Sequence, residues 1–227
     1  MIEPSAAPRF SAILLAAGPS SRLGRSKQLA TFGGEALVRR AARLVIDLGP
    51  ERLLVVCGHA AEQVEAQLAG LELETVRNAN WSQGMGASIV CGARAMPEGP
   101  EGILVMVCDQ WRLDGVEVAR LVRCWRAEPS KIYLANWKES GALVSGPPVM
   151  FPGSLLRQLR GLSPQRGARQ VIDSNMEIVD YVEVPSAACE KVTSSREWRS
   201  RSSRRATGRP ATASEALGRQ RSRCAPS

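Results

Sequence analysis

Apolar and polar positions along the chain follow two rhythms. Short, nearly unbroken apolar runs recur at residues 12–16, 53–57, 103–108, 132–134 and 178–184, and each reads as a buried strand. Between several of them the spacing lengthens to that of a helix. Over residues 35–48, Leu37, Val38, Ala41, Ala42, Val45 and Ile46 share one helical face, and Gly49-Pro50 ends the segment. Residues 60–68 and 115–126 repeat the pattern. Strands alternating with helices predict an α/β fold, a Rossmann-like three-layer sandwich with a mostly parallel sheet. In such sheets ligands collect at the carboxyl ends of the strands.

From Ser194 the rhythm dissolves into an Arg/Ser/Ala-rich segment too poor in apolar side chains to offset the entropy of ordering it. The division this predicts is a folded domain over residues 1–193 and a disordered basic tail over 194–227. Charge follows the same division. The chain of 227 residues carries a net +8, yet residues 1–189 hold 20 basic and 19 acidic residues, and residues 190–227 hold 10 and 3. A nearly neutral body argues against nucleic acid as its partner, and the tail reads as solvated.

Six cysteines are scattered without a Cys-x-x-Cys pair, which argues against a zinc site. Cys57, Cys91 and Cys108 lie in or beside apolar runs and read as buried small hydrophobes in a reducing compartment. No apolar stretch approaches the roughly 20 residues of a membrane span. The first residues lack the basic start and apolar core of a signal peptide, so the expected location is cytoplasmic.

Chemistry concentrates where the first strand stops. Leu15, Ala16, Ala17 and Gly18 lead into a loop of small residues that carries Arg22 and Lys27. Glycine allows close backbone approach to a bulky anion, and successive loop N–H groups can form an anion-binding nest. Arg22 can fork onto phosphate oxygens, while Lys27 supplies a compact charge. The spacing is that of neither common glycine-rich nucleotide loop.

Two further segments complete the pattern. Asp109 ends a strongly apolar strand, at the edge where a carboxylate can hold Mg²⁺ together with substrate phosphates. Residues 78–88 contain Gly84, Met85, Gly86 and Ser88, whose glycines permit approach to a flat base, and Ser88 reads as a possible helix cap. The single histidine, His59, has no partner for triad chemistry and reads as structural or solvent-facing. Trp111, Trp125 and Trp137 read as core.

In this order the three segments resemble the molybdenum cofactor cytidylyltransferases of the molybdopterin-guanylyltransferase-like family. The opening motif matches from Leu15 to Lys27. The second matches from Asn78 to Ser88 with Ala79 in place of a proline, and the third at Asp109-Gln110 with Trp111 in place of a proline. Later correspondences are Gly146-Pro147-Pro148-Val149-Met150-Phe151, with Pro147 where the family has histidine, and Gly167-Ala168-Arg169. The resemblance covers about residues 10–185.

It implies a nucleotidyltransferase-type fold, CTP along the Gly18 loop, and Mg²⁺ on Asp109. Arg22 and Lys27 would hold the triphosphate and stabilise departing pyrophosphate, while residues 84–88 would select cytosine. The second half would receive the phosphate of molybdopterin, and a molybdoenzyme would be the client. The family's second metal carboxylate falls where this chain has Glu190 beside Lys191. Glu190 is therefore the candidate replacement, with Lys191 competing against a cation. A guanylyl or sugar-phosphate nucleotidyltransferase and a non-catalytic nucleotide- or molybdopterin-binding module remain the alternatives.

Overall fold

A computed structural model describes residues 7–19 and 26–189, the side chain of Cys189 excepted. Arg22, Glu190 and the segment 194–227 lie outside the described residues.

The first apolar run forms β1 (Phe10–Ala16), buried along its whole length. Period-two alternation sends Ile13 and Leu15 to one face of the sheet and Ala12, Leu14 and Ala16 to the other. The same alternation shapes β4 (Leu53–Cys57) and β6 (Gly102–Val107). The strand β1 pairs in parallel with both. The short β5 (Glu74–Arg77) adds in parallel beside β4. Three more strands, β7 (Ile132–Glu139), β8 (Ala142–Pro152) and β9 (Val179–Glu183), complete a seven-stranded sheet of order β5-β4-β1-β6-β8-β7-β9. The strand β8 runs antiparallel to both neighbours, while β7 and β9 are parallel. A two-residue pair, β2 (Thr31–Phe32) with β3 (Glu35–Ala36), stands apart.

Helices cover both faces, as the alternation predicts. On one face α1 (Leu37–Ile46), α2 (Ala61–Leu68) and α4 (Gly115–Ala127) bury Val38, Val64 and Trp125 against the sheet. On the other, α3 (Met85–Ala95), α5 (Leu156–Arg160) and α6 (Arg169–Asp173) bury Ile89, Leu159 and Ile172. The result is the expected three-layer α/β sandwich. Among the described residues no helix is long and apolar enough to cross a membrane.

Several boundaries differ from the sequence reading. The first helix begins at Leu37 rather than at residue 35, because Glu35 and Ala36 are drawn into pairing with Thr31 and Phe32. The run at 132–134 is the start of an eight-residue strand. The strand β8 was hidden by its own sequence, since Gly146-Pro147-Pro148 interrupts the apolar pattern where the β7–β8 register shifts. Cys57 and Cys108 are buried as expected, whereas Cys91 is only half-buried, its Sγ donating to Arg77 O at 3.8 Å. Trp111, Trp125 and Trp137 are all buried, and His59 is exposed.

Candidate active site

Chain order and sheet order part company at β1. The chain passes from β1 to β4 and β5 on one side, then returns to place β6 on the other. A crevice opens at the carboxyl ends of strands that diverge in this way. A cavity of about 280 Å³ lies there. Its floor is Leu15, Val107 and Cys108 at the strand ends, and Ala17, Gly18 and Pro19 form one rim. Lys27 and Asp109 pair on its rim, Nζ to Oδ2 at 3.7 Å, each side chain 23% exposed. Trp81, Gly84, Met85 and Ser88 form the opposite wall.

Of the residues the sequence singled out, Leu15, Ala17, Gly18, Lys27, Gly84, Met85, Ser88 and Asp109 all line this cavity. Ala16 and Gly86 lie directly behind it, both buried. Asp109 does not cap the following helix. That task falls to Asp114, whose carboxylate accepts from the Val116 N–H at 2.9 Å while Glu117 accepts from the Asp114 N–H at 3.2 Å.

Ser88 is not a cap either. The helix α3 starts three residues earlier, at Met85, so Ser88 lies within its first turn. Its Oγ accepts from Asn78 Nδ2 at 3.1 Å, and Asn78 Oδ1 in turn accepts from the Asn80 N–H at 2.9 Å. The buried Asn78 thus fixes the wall of the cavity from behind.

The glycines of that wall answer a demand the sequence did not reveal. Gly84 has φ +120°, and a Cβ there would stand 2.9 Å from the Pro164 carbonyl oxygen. A Cβ at Gly86 would meet the oxygens of Ser163 and Pro164 at 2.4 and 2.6 Å. The backbone they admit is protein backbone, and the Gly86 N–H donates to Pro164 O at 3.1 Å.

The second half of the chain approaches the cavity at two places. The loop 163–167 seats on the glycine wall. Gln110 Nε2 donates to Pro147 O at 2.7 Å, tying the 146–148 segment to the residue after Asp109. Arg169 pairs with Asp173 on its own helix at 2.8 Å, and Arg166 reaches the same carboxylate at 3.7 Å.

Cys108 lines the site, and Cys57 is buried at the end of the nearby β4. Burial pushes Cys57 up to about 12, and burial followed by the charge of Asp109 raises Cys108 further. Both are neutral packing groups at physiological pH. Among the described residues no three His, Cys, Asp or Glu side chains come together to enclose a metal ion. The half-buried Asp109 carboxylate nevertheless suits Mg²⁺, which binds through one or two carboxylates plus substrate phosphates and keeps its waters. Asp109 has lone pairs enough for both the Lys27 ammonium and a cation.

Trp81, Gln28 and Cys108 also line the cavity, although nothing in their type or spacing marks them as site residues. Trp81 lies within the 78–88 segment, and Gln28 directly follows Lys27.

Comparison with known proteins places the chain in a family and identifies its fold. The sequence model described as "MobA-like NTP transferase domain" matches residues 12–179. Nicotine blue oxidoreductase of Paenarthrobacter nicotinovorans is 32% identical over 182 residues, covering 78% of this chain and 87% of that protein. The bifunctional protein GlmU of Rubrobacter xylanophilus is 41% identical over 105 residues, 45% of this chain but only 22% of that longer protein. Among solved structures, Rv0371c of Mycobacterium tuberculosis superimposes with a TM-score of 0.72 at 22% identity, covering 86% of this chain and 98% of that one. The same protein has also been solved as a manganese complex, which matches with a TM-score of 0.69. The sheet with its helices is therefore an α/β fold of the nucleotidyltransferase type.

Proposed function

Since the chain belongs to the MobA-like NTP transferase family and is a nucleotidyltransferase, we propose that it transfers CMP from CTP to the phosphate of molybdopterin and releases pyrophosphate. An oxygen of the acceptor phosphate attacks the α-phosphorus in line. A new P–O bond forms as the bond to the β-phosphate bridge breaks, and pyrophosphate leaves with the electron pair. A phosphate monoester dianion is already a nucleophile, so no general base is required. Catalysis is then mostly positioning and charge neutralisation.

The observation that carries this reading is the Lys27–Asp109 pair at 3.7 Å on the rim of the cavity at the β1 and β6 ends. In the proposed complex the Lys27 ammonium meets the charge that gathers on the departing pyrophosphate, with Arg22 as its forked partner on the triphosphate. The Gly18 loop presents backbone to the phosphates. Asp109 holds Mg²⁺, which when bound neutralises charge at the α-phosphate, and Glu190 is the proposed second carboxylate. Residues 84–88 face the base. The segments 146–148 and 163–167 border the acceptor.

Pyrophosphate release with CTP, molybdopterin and Mg²⁺ tests the proposal, with GTP in parallel. Turnover with CTP that Lys27→Ala lowers by about 10²-fold or more supports it, the scale set by losing one stabilising group in a transition state. Turnover with GTP alone would move the reading to a guanylyltransferase, and no release with any nucleotide would overturn it. The relative from Paenarthrobacter favours a second reading, because it matches most of the chain and is named an oxidoreductase. Reduction of nicotine blue at the expense of an added hydride donor, with the donor oxidised in equal amount and no pyrophosphate released, would establish that one instead.

A further inference from the structure

Gln28 is a polar side chain with 3% of its surface exposed, placed where the strand-to-loop turn meets the Lys27 turn. Its Nε2 donates to Ala16 O at 3.0 Å and to Gly18 O at 2.6 Å. An amide nitrogen has two hydrogens, and both are engaged. The carbonyl between these two, Ala17 O, accepts from the His59 N–H at 3.0 Å. Three successive carbonyl oxygens at the end of β1 are thus each held by a donor. Carbonyl oxygens held in this way are kept from turning their negative ends towards an anion in the cavity; at Gly18, whose peptide continues into Pro19 and has no N–H, removing that repulsion is the whole gain.

The same residue fixes a second part of the site. Gln28 is the middle residue of the tight turn Lys27–Leu29, which is closed by Leu29 N to Ser26 O at 3.1 Å and Ala30 N to Lys27 O at 3.0 Å. Anchoring Gln28 to the Gly18 loop therefore sets the base from which Lys27 reaches Asp109. The side chain suits the task. A carboxylate would face two carbonyl oxygens with no hydrogen to give, and asparagine would fall one methylene short.

We propose that Gln28 is a positioning residue for triphosphate binding: it turns the carbonyl groups of the Gly18 loop away from the nucleotide and locks Lys27 in register with Asp109. This rests on the nucleotidyltransferase reading given above.

The test compares wild type with Gln28→Met, which keeps length and bulk but has no donor, and with Gln28→Glu. CTP binding with Mg²⁺ is measured by calorimetry, KM is measured separately for CTP and for the acceptor, and thermal midpoints are recorded. Gln28→Met raises the Kd and KM for CTP at least tenfold, leaves the acceptor KM within twofold, and keeps the thermal midpoint within a few degrees. Gln28→Glu recovers CTP affinity relative to wild type as pH falls, because a protonated carboxyl regains one donor. If Gln28→Met loses its fold, the pH response of Gln28→Glu decides alone. Wild-type CTP affinity in the variants, or a loss of stability with affinity unchanged, overturns the role of Gln28 and leaves the function standing. Failure of wild type to bind any nucleoside triphosphate overturns both.

Discussion

At Gly18 an added methyl group would meet no described atom within 4 Å, and the backbone does not lie in the left-handed region. Nothing in the described fold demands glycine there, in contrast to Gly84 and Gly86, whose missing side chains make room for the 163–164 backbone. The position is therefore a clean probe of the ligand. Gly18→Ala should leave the thermal midpoint unchanged and weaken CTP binding roughly tenfold, about 1.4 kcal/mol, because the methyl stands on the approach to the loop backbone. Calorimetry beside a melting curve checks it, and unchanged affinity would place the triphosphate elsewhere. Gly18, Lys27 and Asp109 were legible because small, basic and acidic residues at strand ends carry their chemistry in their type. Gln28 was not. A glutamine in Lys-Gln-Leu reads as a surface residue until its two carbonyl partners are seen.

Elements held by their ends show the same contrast. Arg160 on α5 donates to Ala93 O at 2.9 Å and Met96 O at 2.6 Å and pairs with Glu98, so one guanidinium receives the last carbonyls of α3. That holds the far end of the helix whose first turn walls the cavity. At the start of α4, burial first, then the hydrogen bond and charge of Asp114, push Glu117 up to about 7. The folded state then binds this proton more tightly than the unfolded chain. Its contribution to stability is complete below the ordinary carboxylate range and is lost as pH rises from about 4.5 through 7. Glu117→Gln keeps an acceptor for the Asp114 N–H and removes the titration. Denaturant midpoints of wild type should therefore fall across that window relative to the variant, by less than ~1 kcal/mol because the group is partly solvated. Parallel pH curves would contradict it. The strand β5 escaped sequence reading because Glu74–Arg77 is an edge strand with only Val76 partly covered. The start of α3 at Met85 falls earlier than the sequence suggests, because Ser88 reads as the cap of a helix that already includes it.

For the molecule as a whole, the cavity joins segments from residue 15 to residue 109 and is backed by residues up to 167, so a bound nucleotide tightens most of the fold at once. A ligand at 100 times its Kd adds about 2.7 kcal/mol to stability. For a chain of this size each kcal/mol moves the midpoint by about 2–4 °C. CTP with Mg²⁺ should accordingly raise the thermal midpoint by roughly 5–10 °C. An unmoved midpoint under saturating CTP would count against the site. The three-layer plan was readable from alternating periods alone, since five of the seven sheet strands announce themselves as apolar runs. The reversal of β8 was not, because direction depends on how a connection returns and leaves no mark on composition.

The backbone contact between Gly86 and Pro164 has one more consequence. It welds the wall that would face the base to the loop that would face the acceptor, with no side chain between them to absorb a change. Any residue larger than glycine at 84 or 86 displaces 163–164, and any rearrangement of 163–164 removes the reason for glycine. A substitution in either segment is therefore tolerated only with a matching change in the other. A descendant that acquires a new acceptor by remodelling the loop must renegotiate its choice of nucleotide in the same step.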